Sequence, residues 1–255
     1  VAFRLTAELS RDAFLGGRVH LFQPIGGYRA GIDPVLLAAS VAATSGDSVL
    51  ELGCGAAPGL CCLGVRVPGL TLTGVEIQPF YVNLARRNLA ENGLTAEVVE
   101  ADLSSPPASL LARQFDHVFA NPPYFKSGKR SQADDDGREI ALAAQTPLSA
   151  WVNVAARRLV PRGQATFIQR MERLPELLTA MQERLGSVQV LPLAPRVGRD
   201  PRLVLVRGRK GGRADFRLHA PVILHEGHTH GQDGEDYAAP ISDVLRRGAP
   251  LNFPA

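Results

Sequence analysis

Ser48-Val-Leu-Glu-Leu-Gly-Cys-Gly-Ala-Ala-Pro-Gly59 decides the fold. Its first five residues read as a buried strand, and the glycine-rich turn at 53–59 leads into a helix over 60–66. The pattern repeats outward. Residues 70–76 read as a second strand and 79–92 as a helix closed by Gly93, with further strands at 95–100 and 115–120, the last ending at Asn121. A helix over 151–159, a turn at Pro161-Arg-Gly, a strand at 164–169 and a helix at 174–185 follow, then strands near 187–192 and 203–207. Upstream, residues 13–24 suit a Gly-turned hairpin, and Asp33-Pro34 opens an apolar helix reaching 43. The tail from Asp215 reads as one strand and a polar loop. Strands of nearly continuous apolar character alternating with amphipathic helices predict a doubly wound α/β fold with a mainly parallel sheet. No linker divides the chain, so one domain is expected over 1–255: a hairpin extension at 1–32, a core at 33–210 and a terminal strand and loop at 211–255.

The composition excludes several classes. With 45% hydrophobic and 21% charged residues in 255, the chain is ordinary for a soluble globular protein and not wholly disordered. The net charge of +3 is too small to argue for nucleic acid by itself. No apolar run is long enough for a membrane span, and no charged-then-apolar leader opens the chain. Cys54, Cys61 and Cys62 form neither a disulfide framework nor a zinc-knuckle spacing, so reduced thiols, core packing and a cytoplasmic location are expected.

A glycine turn between strand and helix is where an open α/β sheet binds its ligand. Gly53 and Gly55 let backbone approach that ligand, although a tight turn without one is the alternative. Glu51, Glu76 and Asp102 place carboxylates at three successive strand ends, converging on one cleft. Glu76 suits two ribose hydroxyls, Asp102 an adenine amino group, and Cys54, Ile77 and Leu103 complete the candidate wall. A dinucleotide fingerprint requires glycine where Pro58 stands, and no Gly-Lys-Ser/Thr follows, so neither phosphate cradle is present. A cofactor with ribose and adenine but no phosphate fits, which is S-adenosylmethionine. The segment resembles the first motif of class I methyltransferases, except that Ala57 replaces the usual third glycine. Its methyl group is expected to be tolerated there, at the cost of some crowding at the methionine end of the cofactor.

Asn121-Pro122-Pro123-Tyr124 follows the fourth strand and faces the same cleft. A rigid strand exit would use the same residues. Chemistry gives them a second meaning. An exocyclic amine is a poor nucleophile because its lone pair is delocalised into the ring; two acceptors on its two hydrogens favour a pyramidal nitrogen. The Asn121 side-chain oxygen and the Pro122 carbonyl are such acceptors, and the prolines fix the turn. Tyr124 offers a face for a flat base, worth about 1–3 kcal/mol.

Asn-Pro-Pro-Tyr in this position resembles the amino methyltransferases that act on adenine N6, cytosine N4 or a protein glutamine amide. With Arg18-Val-His-Leu-Phe-Gln-Pro, Gly31-Ile-Asp-Pro-Val-Leu-Leu-Ala, the Gly53 loop and Val75-Glu-Ile-Gln, the chain is similar to the bacterial tRNA adenine N6-methyltransferases over residues 14–207. The resemblance implies a class I methyltransferase (Rossmann-like) fold with a seven-stranded sheet. It also implies methyl transfer to the adenosine beside the anticodon of a valine tRNA, and Asp33 near the methionine end of the cofactor. A helix N-cap explains Asp33 equally well. The rivals are a release-factor glutamine methyltransferase, which usually carries a helical domain ahead of the sheet, and a ribosomal RNA guanine N2 enzyme, which usually carries a duplicated domain. A binding module that has lost activity is the rival from another class.

Two basic clusters are candidates for RNA phosphates: Lys126, Lys129 and Arg130 just past Tyr124, and Arg196, Arg199 and Arg202 further on. A solvated loop is the alternative for each. His225-Glu-Gly-His-Thr-His230 lacks the zinc-protease spacing, so a surface hairpin and no metal are expected. Trp151 is read as a core anchor.

Overall fold

A computed structural model describes residues 8–26, 29–124, 146–227 and 236–254. An antiparallel hairpin, β1 (Leu9–Phe14) and β2 (Val19–Pro24), precedes α1 (Asp33–Ser40). Then come β3 (Ser48–Leu52), α2 (Pro58–Arg66), β4 (Thr71–Glu76), α3 (Pro79–Glu91), β5 (Ala96–Glu100), α4 (Ala108–Leu111) and β6 (Phe115–Ala120). The described chain continues with α5 (Leu148–Arg158), β7 (Leu159–Arg170), α6 (Leu174–Arg184), β8 (Gly186–Ala194), β9 (Leu203–Arg209), β10 (Arg217–Leu218), β11 (Val222–Ile223) and α7 (Ala239–Arg247).

The main sheet has nine strands in the order β10-β8-β9-β7-β6-β3-β4-β5, with β11 also on β8. Seven are those expected over 48–207, and β10 falls where a strand was expected in the tail. Both β10 and β11 are dipeptides lying along the outer edge of β8, where they cover backbone groups that an open edge would expose. Only β9 runs against its neighbours. From β3 the chain winds outward through β4 and β5, then returns to place β6 on the other side of β3. That reversal opens a crevice at the carboxyl ends of β3 and β6, the switch point where such sheets hold ligands.

Alternate residues of the central strands feed two apolar cores, one on each face. Val49 and Phe119 join the core under α1, α2 and the hairpin; Leu50, Leu52 and Val118 join the one under α5 and α6. The hairpin is seated by two asparagines four residues apart, Asn88 in the last turn of α3 and Asn92 at its C-cap. Asn88 accepts from Phe22 N at 2.7 Å and donates to Phe22 O at 3.0 Å, while Asn92 accepts from His20 N at 2.8 Å and donates to His20 O at 2.7 Å. Each side-chain amide thus pairs with β2 as a neighbouring strand would. Asn88 also donates to Ala56 O at 2.9 Å, tying the hairpin to the glycine turn.

Two expectations are corrected. The tail is not merely strand and loop: α7 forms there, buries Ile241 and Val244, and packs on the hairpin turn. The turn expected at Pro161-Arg-Gly lies inside β7, where the pairing with β6 jumps from Phe115↔Leu159 to His117↔Gln164. The extra residues bulge out, with Arg162 at φ 72°. Among the described residues, no helix is long and apolar enough to cross a membrane.

Candidate active site

One cleft of about 430 Å³ opens at the switch point, a size suited to a small organic ligand. Gly53, Cys54, Gly55, Glu51, Glu76, Ile77, Asp102, Leu103 and the whole of Asn121–Tyr124 line it, so the glycine turn and the Asn-Pro-Pro-Tyr corner share one space. Strand register explains why: Leu52 pairs with Ala120, so the next residues, Gly53 and Asn121, leave the sheet side by side.

The glycine turn is held from below. Glu76, nearly buried at the end of β4, accepts from Gly55 N at 2.9 Å through one oxygen, and from Ile77 N and Gln78 N, each at 2.9 Å, through the other. Glu51 accepts from Leu60 N at 3.0 Å. Burial is the main cause that raises the Glu51 carboxyl well above its ordinary range; the nearby Glu76 charge adds to it, and the Leu60 N–H opposes it. Asp102 stands exposed at the rim and accepts from Ser104 N at 2.7 Å. Gly55, at φ 53°, would direct a Cβ into open space, leaving its backbone bare to the cleft. Gly53, at φ 64°, does something else: a Cβ there would stand 2.6 Å from the indole ring of Trp151. Trp151 therefore forms cleft wall as well as core.

Ala57 adopts the left-handed conformation (φ 61°, ψ 36°), the place of the missing glycine. Its methyl group is fully buried in the core and does not line the cleft. The expected crowding of the cofactor is thus overturned: the cost falls on backbone conformation, roughly 1–2 kcal/mol.

The Asn121 corner is gripped by the carboxyl end of β7. Gln169, fully buried, donates to Pro122 O at 3.3 Å, and Arg173 donates to Pro123 O at 2.9 Å while pairing with Glu176. A carbonyl has two lone pairs, so Pro122 O keeps one for a ligand. The Tyr124 hydroxyl donates to Asp33, which does not itself line the cleft and is not the N-cap of α1; Ile32 holds that place. The Asn121 side-chain oxygen is shielded from solvent and has no hydrogen-bond partner among the described residues, nor does the Trp151 indole N–H. An acceptor left so costs about 1–3 kcal/mol, which a ligand N–H would recover. Asparagine χ2 is broad, so the amide can turn to meet one.

The basic candidates divide. Lys126, Lys129 and Arg130 lie outside the described residues. Arg199 and Arg202 are exposed in the β8–β9 loop. Arg196 must be withdrawn from the RNA-facing set: it is buried, pairs with Asp236 and donates to Glu226 O. Asp236 also meets His225 Nδ1 at 2.8 Å, and His225 stacks on Tyr237 at 4.7 Å. His228 and His230 lie outside the described residues, and no cluster of three metal-ligating side chains occurs among those described. The three thiols are buried, and burial pushes Cys62 up to about 12, so none is poised as a nucleophile.

The switch-point cleft, the carboxylate-braced glycine turn and the Asn-Pro-Pro-Tyr corner define a class I, S-adenosylmethionine-dependent methyltransferase. Residues 31–194 match the methyltransferase small domain, and the chain belongs to that family. A tRNA1(Val) (adenine(37)-N6)-methyltransferase of Porphyromonas gingivalis is 30% identical over 226 residues, 84% of this chain and 88% of that one. A release factor glutamine methyltransferase of Chlorobaculum tepidum is 28% identical over 166 residues, 61% of this chain and 56% of that one. Among solved structures, that of a predicted O-methyltransferase from Agrobacterium tumefaciens is similar at a TM-score of 0.70 and 25% identity, covering 88% of this chain and 100% of the other.

The groups that sequence reasoning left unassigned are Trp151 as wall, and Gln169, Arg170 and Arg173 around the corner. Their signal is positional: once β7 is placed beside β6, its last residues must adjoin Asn121–Tyr124.

Proposed function

We propose that this chain transfers a methyl group from S-adenosylmethionine to the exocyclic N6 amine of adenine in RNA, with a tRNA anticodon loop as the substrate. The observation that carries this reading is the solvent-shielded, unpartnered Asn121 oxygen in the cleft wall beside the glycine turn. The likeness to tRNA adenine N6-methyltransferases over most of both chains supports the same substrate. The residues present fit the cofactor: Gly55 offers bare backbone, Glu76 and Asp102 offer carboxylates for ribose and adenine, and Ile77 and Leu103 offer apolar surface. When bound, the cofactor supplies a methyl group on a positively charged sulfur.

The chain's own residues do the rest by placement. Asn121 and Pro122 accept the two hydrogens of the target amine and turn its lone pair out of the ring system. Gln169 and Arg173 keep the two proline carbonyls fixed. Tyr124, steadied by Asp33, presents its ring to the base, which must be out of any stack to enter. Once alkylated, the nitrogen is acidic and loses its extra proton to water, so no strong general base is required and the acceleration rests on orientation and on acceptors set in advance. Arg199 and Arg202 serve the RNA backbone.

The test is to incubate the protein and radiolabelled S-adenosylmethionine with separate tRNA, ribosomal RNA and protein fractions from cells lacking this enzyme. Label in tRNA, recovered as N6-methyladenosine, is the expected result. Label confined to protein, or recovered as a methylated guanosine, refutes the reading.

A further inference from the structure

Three side chains from the end of β7 and the turn after it reach the Asn-Pro-Pro-Tyr corner, and they are engaged to very different degrees. Gln169 is fully buried and bonded to Pro122 O; Arg173 is 11% exposed in its side chain and bonded to both Pro123 O and Glu176. These two complete their hydrogen bonding inside the protein. Arg170, between them in sequence, is exposed, and its guanidinium makes no hydrogen bond or ion pair among the described residues. Among the described residues it faces the Tyr124 ring, whose centroid lies 5.3 Å from the guanidinium carbon.

That separation is loose. Elsewhere in the same molecule Arg87 stands 3.5 Å over the Phe22 ring, the distance of direct stacking. A flat base takes about 3.5 Å on each face, so a guanidinium and a phenol ring holding one between them stand about 7 Å apart. Arg170 is nearer to that than a closed stack would be, and an exposed arginine at a strand end can open the remaining distance by rotamer change.

We propose that Arg170 is a substrate-binding residue, the second jaw of a clamp that holds the acceptor base between its guanidinium and the Tyr124 ring. The proposal rests on the reading of the acceptor as a base in RNA. A guanidinium suits this place because it is planar, always charged and weakly hydrated, and stacks on aromatic faces where an ammonium does not. Its neighbours extend the same surface. Arg170 pairs with Leu203 across the ladder, and Met171 N donates to Arg202 O at 2.9 Å, so the clamp is continuous with the loop bearing Arg202 and Arg199. Those two are placed for phosphates; Arg170, over the ring, is placed for the base.

The experiment separates the two kinds of contact. Methyl transfer to unmodified tRNA is measured for the wild type, Arg170→Ala, Arg170→Lys and Arg199→Ala across a salt series, with S-adenosylhomocysteine affinity by calorimetry as the check on folding. Arg170→Ala is expected to raise KM for tRNA at least about tenfold, in keeping with one lost stack. Cofactor-product affinity should stay within about twofold, and the slope of log KM against log salt should match the wild type. Arg199→Ala should instead lower that slope by about one, as loss of a phosphate contact does. Arg170→Lys should recover less than half of the loss. An unchanged KM for Arg170→Ala, with the wild type active, overturns the clamp alone. A slope lowered by about one together with full rescue by Arg170→Lys also overturns it, by assigning the residue to phosphate. A wild type that methylates no RNA overturns the clamp and the parent reading together.

Discussion

On the glycine-turn side of the cleft, polar groups of the wall are answered from within the protein: Glu76 takes three backbone N–H groups and Glu51 a fourth. On the Asn121 side, the asparagine oxygen has no partner among the described residues, and among those residues the Arg170 guanidinium meets only the Tyr124 ring. The two halves serve ligands of different kinds. A cofactor that never varies can be met by a rigid, pre-satisfied loop, at little ordering cost on binding. An acceptor base must be extracted from its own stack, and groups held unsatisfied until it arrives return their desolvation cost when it is bound.

The largest effect that would sharpen this contrast lies at Glu76. Glu76→Ala strips support from Gly55, Ile77 and Gln78, and affinity for S-adenosylhomocysteine should fall by about one to two orders of magnitude. Calorimetry checks this; unchanged affinity would show that the loop is held by other means. Next comes Glu51. Its folded-state pKa lies above the ordinary 4.5, so its contribution to stability is complete below that value and is lost as pH rises through the raised one. Glu51→Gln removes the titration while keeping an acceptor for Leu60 N. The variant should melt higher than the wild type at neutral pH, with the gap closing toward pH 4.5; a gap that is constant with pH contradicts a buried, proton-holding Glu51. The smallest effect is at Ala57. Ala57→Gly relieves roughly 1–2 kcal/mol of left-handed backbone cost but adds about 0.4–1 kcal/mol of unfolded-state entropy and loses about 0.8 kcal/mol of methyl burial. The melting point should move by no more than about 2 °C, and cofactor affinity should not change. A marked gain in affinity would restore the crowding that the buried methyl argues against.

Strands β3 and β6 were legible to the residue because each is a short, mainly apolar run with a turn former at its exit, Gly53 after β3 and Asn121-Pro122 after β6. The cleft residues were legible for a related reason: they sit at strand ends, and strand ends in a parallel sheet share one side. What was not legible depends on partners far off in sequence. Arg196 looks like any loop arginine until Asp236, forty residues on, is folded against it. The braces on Pro122 and Pro123 exist only because β7 pairs with β6. Helix α7 has Ala238 as its N-cap with no side-chain cap, so the Ser, Thr, Asp or Asn that would mark its start is missing from the cap position. The Ala57 methyl was given the right position and the wrong direction, because the left-handed turn sends it inward.

Single-turnover transfer to tRNA by Asn121→Ala, at saturating S-adenosylmethionine, tests the claim on which both halves of the contrast depend. Loss of the side-chain acceptor should slow the transfer by about a hundredfold or more while S-adenosylhomocysteine affinity holds within about twofold. A rate near that of the wild type, or an equal loss in cofactor-product affinity, would contradict the assignment of that oxygen to the target amine.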